Sequence, residues 1–207
     1  MKKSVFVFLL TLFSQAQAQD LARSFRVRTT LIGFSPRQEQ KVHAASRILR
    51  KIIRSDEFRD EVLNHHFEGK RAFADNQGLS NEEIYRRILE GSENQTTHGP
   101  NNTMDLELEL YTDHDSITIG YTYPSIVRIF MNRKYFNRFR PYQVADNMMH
   151  EWLHKIGFDH AVKNTSERAH SVPYAIGYIV KGIARRLHRN LDPDALELIA
   201  ADTPFAN

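Results

Sequence analysis

The 207-residue sequence predicts an α+β fold: a small twisted mixed sheet with an antiparallel edge strand, a long backing helix, a histidine-bearing helix and a C-terminal helix. Three observations predict it. Apolar residues alternate with polar ones in several short runs, the mark of half-buried strands. Other stretches carry apolar residues three and four apart, the mark of helices with one packed face. Two of the strand-like runs are separated only by Pro124-Ser125, too little chain for a parallel crossover, so those two must be antiparallel.

Residues 26–34 read as the first strand, with Val27, Thr29 and Leu31 alternating against polar neighbours. Ser35-Pro36-Arg37-Gln38 predicts a helix start, with Ser as N-cap, Pro at the first helical position and Gln completing a capping box. The long helix that follows carries Val42, Ala45, Ile48, Leu49, Ile52 and Ile53 on one stripe, opposed by Arg47, Arg50, Lys51 and Arg54. It is expected to pack on a sheet. A second helical piece is expected over residues 56–67. Its adjacent His65 and His66 would point about 100° apart and so are read as surface or half-buried histidines, not as a metal pair. Residues 70–74 are expected to form a short strand.

Ser80-Asn81-Glu82-Glu83 is a second capping box, opening a helix that stops at Gly91. Residues 92–102 are polar and turn-rich, a surface loop. Leu106, Leu108 and Leu110 then point inward from a strand whose Glu107 and Glu109 point outward. Asp113-His114-Asp115 reads as a turn. Residues 117–123 form the fourth strand and residues 126–131 the fifth, apolar enough to be central. Pro141 opens the histidine helix. Its core stripe is Ala145, Met149, Trp152 and Ile156, while Asn147, His150 and His154 face elsewhere. The C-terminal helix spans about 174–188 with Ile176, Ile179, Val180, Ile183 and Leu187, and Asp192-Pro193 opens a last short helix. No repeat or linker marks a second domain.

Residues 1–18 are expected to be a signal peptide rather than part of the fold. Lys2 and Lys3 precede an apolar run over 5–13, and Ala16-Gln17-Ala18 fits a small-x-small cleavage site. The run is short for a permanent span. Cleavage leaves residues 19–207 as a single domain, periplasmic or secreted, with no stable membrane anchor. The sequence has no Cys, so packing and metal binding are left to stabilise an exported chain. The formal net charge of +3 includes Lys2 and Lys3 and implies no nucleic-acid partner. Two basic clusters remain, one over 133–140 interleaved with Tyr135, Phe136 and Phe139, the other at Arg185, Arg186, His188 and Arg189. Both read first as amphipathic surface; the former could dock on an envelope polyanion.

The chemistry concentrates in residues 150–160, which spell H-E-x-x-H-x-x-G-x-x-H. His150 and His154 are one helical turn apart and can turn both imidazoles toward one ion. Glu151 is rotated by roughly 100° and can reach a metal-bound water without ligating the metal. Gly157 can take the left-handed conformation that ends the helix and reverses the chain. His160 then supplies a third ligand, and a catalytic zinc needs three protein ligands and one open position.

This signature resembles that of the metzincins, a clan of zinc-dependent endopeptidases, and the order of elements over residues 26–188 is similar too. The resemblance implies a zincin-like fold holding one catalytic Zn2+ on His150, His154 and His160, with Glu151 as general base toward the zinc-bound water. It implies an extended protein or peptide substrate laid along the 117–123 strand by strand addition. Metzincins carry a Met in a turn beneath the metal; here the corresponding stretch is Ser171-Val172-Pro173-Tyr174, with Pro173 in that place. Tyr174, one residue on, is a candidate transition-state stabiliser. A monomeric, exported zinc endopeptidase is the resulting expectation. The alternative is a non-catalytic peptide- or zinc-binding protein of the cell envelope, which would need the three His but not Glu151.

Overall fold

The computed structural model describes residues 17–93, 99–123, 125–163 and 165–189. Strand β1 (Arg26–Ile32) leads into the long helix α1 (Pro36–Ile53), followed by α2 (Asp56–Leu63) and α3 (Asn81–Glu90). Strands β2 (Thr103–Tyr111), β3 (Gly120–Tyr121) and β4 (Arg128–Asn132) come next. A short helix α4 (Arg133–Arg138), the histidine helix α5 (Pro141–Lys155), the single turn α6 (Ser166–Ala169) and helix α7 (Val172–Arg189) complete the described chain. The architecture is α+β, with one mixed sheet in the order β1-β2-β4-β3. β1, β2 and β4 are parallel neighbours, and β3 is antiparallel to β4, pairing Gly120 with Met131 and Tyr121 with Phe130.

The helices start and stop where side chains satisfy their ends. Gln38 Oε1 accepts from the Ser35 backbone N–H at 2.9 Å, and Glu83 Oε2 accepts from that of Ser80 at 2.7 Å. Each bond serves a donor that the first helical turn leaves unpaired. Gly91 ends α3 in the left-handed region, and a Cβ there would fall 2.2 Å from the Thr103 carbonyl oxygen, so only glycine fits. Helix α1 packs on β1 and on α5, and α7 packs on α5 and also touches α1. Val42, Ala45, Leu49, Ile52 and Ile53 of α1 meet Leu106, Leu108 and Leu110 of β2 and Met149, Trp152 and Leu153 of α5 in one core. Residues 17–24 are helical, and Ala22 and Phe25 are buried in that same core. No helix among the described residues is long and apolar enough to cross a membrane.

Several local expectations are corrected. Helix α2 ends at Leu63, so His65 and His66 lie beyond it rather than on it. His66 is exposed, and half-buried His65 stacks on Phe73 at 4.1 Å and meets His170 at 3.3 Å. Residues 70–74 are no strand; Ala74 makes a single bridge to Ser171, a partner far away in sequence. The 92–102 stretch is not wholly surface. Glu93 is buried, accepting from Trp152 Nε1 at 2.6 Å and from the Asp105 backbone at 2.9 Å. The strand expected over 117–123 contracts to Gly120–Tyr121, although its flanks still reach β4: the Ile119 carbonyl accepts from the Asn132 N–H at 2.8 Å, and past Tyr121 the contact passes to a side chain. Thr122 Oγ1 donates to the Arg128 carbonyl at 2.8 Å, and Ile117 stands 89% exposed. The fifth strand begins at Arg128, not 126, with Val127 exposed. Residues 1–16 of the expected signal peptide and the helix expected from Asp192 lie outside the described residues.

Candidate metal centre

Pro141 is the first residue of α5, after the N-cap Arg140, and Val144, Ala145, Met148, Met149, Trp152 and Leu153 turn the packed side of the helix into the core. His150, His154 and Asn147 face away from that side and are only partly buried, as the apolar spacing requires. The helix ends at Lys155, and Gly157 adopts φ +97°, a left-handed conformation that turns the chain back toward α5. That turn brings His160 to the two helical histidines. Ring centroids of His150, His154 and His160 lie 4.9–5.2 Å apart. One ligand nitrogen from each sits within 4.8 Å of the others, close enough to hold a metal ion.

The outer nitrogens show how the rings are aimed. His154 Nδ1 lies 2.8 Å from the Phe158 carbonyl, and His160 Nδ1 lies 3.1 Å from the Ala161 carbonyl. His150 is hydrogen-bonded to the backbone of Pro173, at the start of α7. A carbonyl can only accept, so each ring donates its N–H there and keeps its second nitrogen as a lone-pair donor for a metal. Burial, reinforced by His154 and His160, pushes His150 down to about 3, and burial lowers His154 as well. Neutral imidazole is the ligand form, so the donor set fits a borderline-soft dication such as zinc.

Glu151 is 4% exposed and sits beside the histidines rather than among them. Burial pushes its carboxyl up to about 8, opposed by a hydrogen bond from Asn147 and the charge of Lys155. A dication at the three histidines would act in the ionising direction. Asn147 Nδ2 approaches Glu151 Oε1 at 3.4 Å, a long contact. On its other side the Asn147 amide abuts Gly120 of the edge strand, which places β3 against the site. Lys155, also buried, ties α5 to the chain between β3 and β4, donating to the carbonyls of Tyr123 (3.2 Å) and Ile126.

Tyr174 joins the cluster. Its ring stands edge-on to His150 at 4.5 Å and tilted to His160 at 4.7 Å. Pro173 contributes its backbone carbonyl to His150, a role that any residue's backbone can fill. Two contributors were not legible in the sequence: Arg168, whose guanidinium meets the Tyr174 hydroxyl, and Gly120. Neither belongs to a motif; both act through the partner opposite them. His65 and His66 stand apart from the site, and the only cluster among the described residues able to hold a metal is His150, His154 and His160. No family model, curated protein or solved structure matches the chain.

Proposed function

We propose that the protein is an exported, monomeric zinc endopeptidase of metzincin type. The observation that carries the reading is the pairing of three histidines, each anchored through its outer nitrogen, with a buried carboxyl on the next residue of the helix. A protein that only stored zinc would have no use for Glu151. His150, His154 and His160 would hold the ion and leave a coordination position open. Zinc, when bound, polarises the scissile carbonyl and makes water nucleophilic near neutral pH.

The remaining steps belong to the chain. Glu151 takes a proton from the attacking water on its carboxylate and passes it to the leaving amine. Tyr174 donates a hydrogen bond from its hydroxyl to the carbonyl oxygen as negative charge develops there, keeping its proton. The outer edge of β3 offers backbone groups for strand addition by an extended peptide, at Gly120 and Tyr121 and not along the whole of 117–123. Signal cleavage after Ala18 would remove Ala18, which packs against the core at the start of the 17–24 helix, and retain Leu21, Ala22 and Phe25, which pack in or against it.

The test combines metal analysis with casein or peptide-library cleavage. Wild-type protein is expected to carry one zinc per chain and to cleave. Glu151→Gln should keep the zinc and lose about 100- to 10,000-fold in kcat, the scale of a lost general base. His160→Ala should lose the metal. Equal cleavage by Glu151→Gln and wild type would sink the mechanism; zinc and peptide binding without cleavage would instead identify a non-catalytic binder.

A further inference from the structure

Tyr174 is the third residue of α7, and its phenol is held by a residue outside the signature. Arg168 Nη2 donates to the Tyr174 hydroxyl oxygen, and the guanidinium carbon lies 4.7 Å from the ring centroid. Arg168 Nη1 donates to the Val162 carbonyl at 3.0 Å. One side chain thus spans from the segment two residues after His160 to the aromatic ring that packs on His150 and His160. Its backbone is held on both sides. The Arg168 N–H donates to Thr165 Oγ1 at 3.2 Å, and its carbonyl accepts from the buried Ser171 hydroxyl at 2.7 Å. The turn α6 thus fixes the backbone from which the guanidinium extends, and the Val162 carbonyl and the Tyr174 hydroxyl hold its far end.

We propose that Arg168 is a positioning residue for Tyr174, fixing the ring over the histidine cluster and directing the phenol's own proton toward the substrate oxygen. A guanidinium has donors and no acceptor, so in this pair the phenol oxygen must accept. The phenol has one proton, and among the described residues no other hydrogen bond to this hydroxyl is present. Accepting from a cation also polarises the O–H and strengthens it as a donor. Arg168 does not touch the substrate; it acts through Tyr174. The proposal rests on the peptidase reading, and its test carries readouts that do not.

The experiment uses the full zinc-loaded protein with Arg168→Met, Arg168→Lys, Tyr174→Phe and the Arg168→Met/Tyr174→Phe double variant. With tyrosine labelled at 13Cζ, the Tyr174 resonance is identified by its disappearance in Tyr174→Phe. It should move in Arg168→Met and return toward the wild-type position in Arg168→Lys. Affinity for a phosphinic peptide should fall roughly tenfold or more in Tyr174→Phe and in Arg168→Met, and no further in the double variant. On a cleaved peptide the same losses should appear in kcat, with KM changed by less than about twofold. A Tyr174 resonance unmoved by Arg168→Met, or a double variant that loses the product of the two single losses, would overturn the proposal. Absence of cleavage by the wild type would count against the peptidase reading alone. The resonance and the phosphinic-peptide affinities would then still decide the role of Arg168, and Arg168→Ala, which also removes the donor, serves in both readouts if Arg168→Met fails to fold.

Discussion

At Gly120 there is room for little more than a hydrogen atom between the edge strand and the histidine helix. A Cβ there would stand 3.0 Å from Asn147 Oδ1, 3.2 Å from its Nδ2 and 3.1 Å from the Phe130 carbonyl oxygen. The carbonyl belongs to the paired strand and cannot retreat, so the Asn147 amide has to move. Asn147 is also the hydrogen-bond neighbour of Glu151, and its Oδ1 is buried without a partner. Gly120→Ala therefore reaches the proposed base by displacing the side chain between them. The expected result is a fall in kcat of roughly tenfold, the scale of a modest misplacement of a reacting group, with zinc content unchanged. Metal analysis and peptide kinetics on the variant check it, and a kcat equal to wild type would show that Asn147 does not orient Glu151.

The elements around the site are joined by side chains that cross between segments, and Asn132 is the clearest case. It is fully buried at the end of β4, where it N-caps α4 by accepting from the Lys134 N–H at 3.1 Å. Its amide donates to the carbonyls of Asp113 (2.9 Å) and Thr118 (3.3 Å), holding the loop that leads into β3. Asn132→Ala removes the cap and strands two carbonyls, and should cost about 2–3 kcal/mol of stability. Hydrogen exchange should rise over residues 113–121 before the core opens; urea unfolding and exchange mapping measure the two effects. The neighbouring basic segment supports the same loop. Lys134 Nζ reaches the carbonyls of His114 (2.8 Å) and Ser116, and Arg133 reaches that of Gly33, so these two cations are engaged within the fold. Local signals explain what was legible in the sequence: the capping boxes at Ser35 and Ser80, the stop at Gly91, the alternation from Leu106 to Leu110 and the histidine spacing all act within a few residues. What was missed depends on remote partners. Glu93 is buried because Trp152 comes to it, and Ala74 pairs with Ser171. Neither residue of such a pair carries a signal of the other.

Across the whole molecule, the three histidines join parts of the chain that also meet in the core. His150 and His154 ride on α5, His160 lies on the turn after it, and the Pro173 carbonyl links His150 to α7. Arg168 adds a second link from Val162 to Tyr174. The sequence has no Cys, so no disulfide crosses these segments. A metal at the site would then act as the cross-link, because a group that binds the folded state alone stabilises it by mass action. At free metal about 1,000 times the dissociation constant this amounts to about 4 kcal/mol, or on the order of 10 °C in melting temperature for a domain of this size. Chelation should lower the melting temperature by that amount, and returned zinc should restore it. His160→Ala should melt near the chelated protein with or without added zinc. Glu151→Gln keeps all three ligands and should retain the whole zinc-dependent shift while losing cleavage. That dissociation of stability from activity separates a ligand from a base. If chelation removed the metal and left the melting curve of the wild type in place, the ion would be a passenger in the fold, and the rigidity of the site would have to come from α5, α6 and α7 alone.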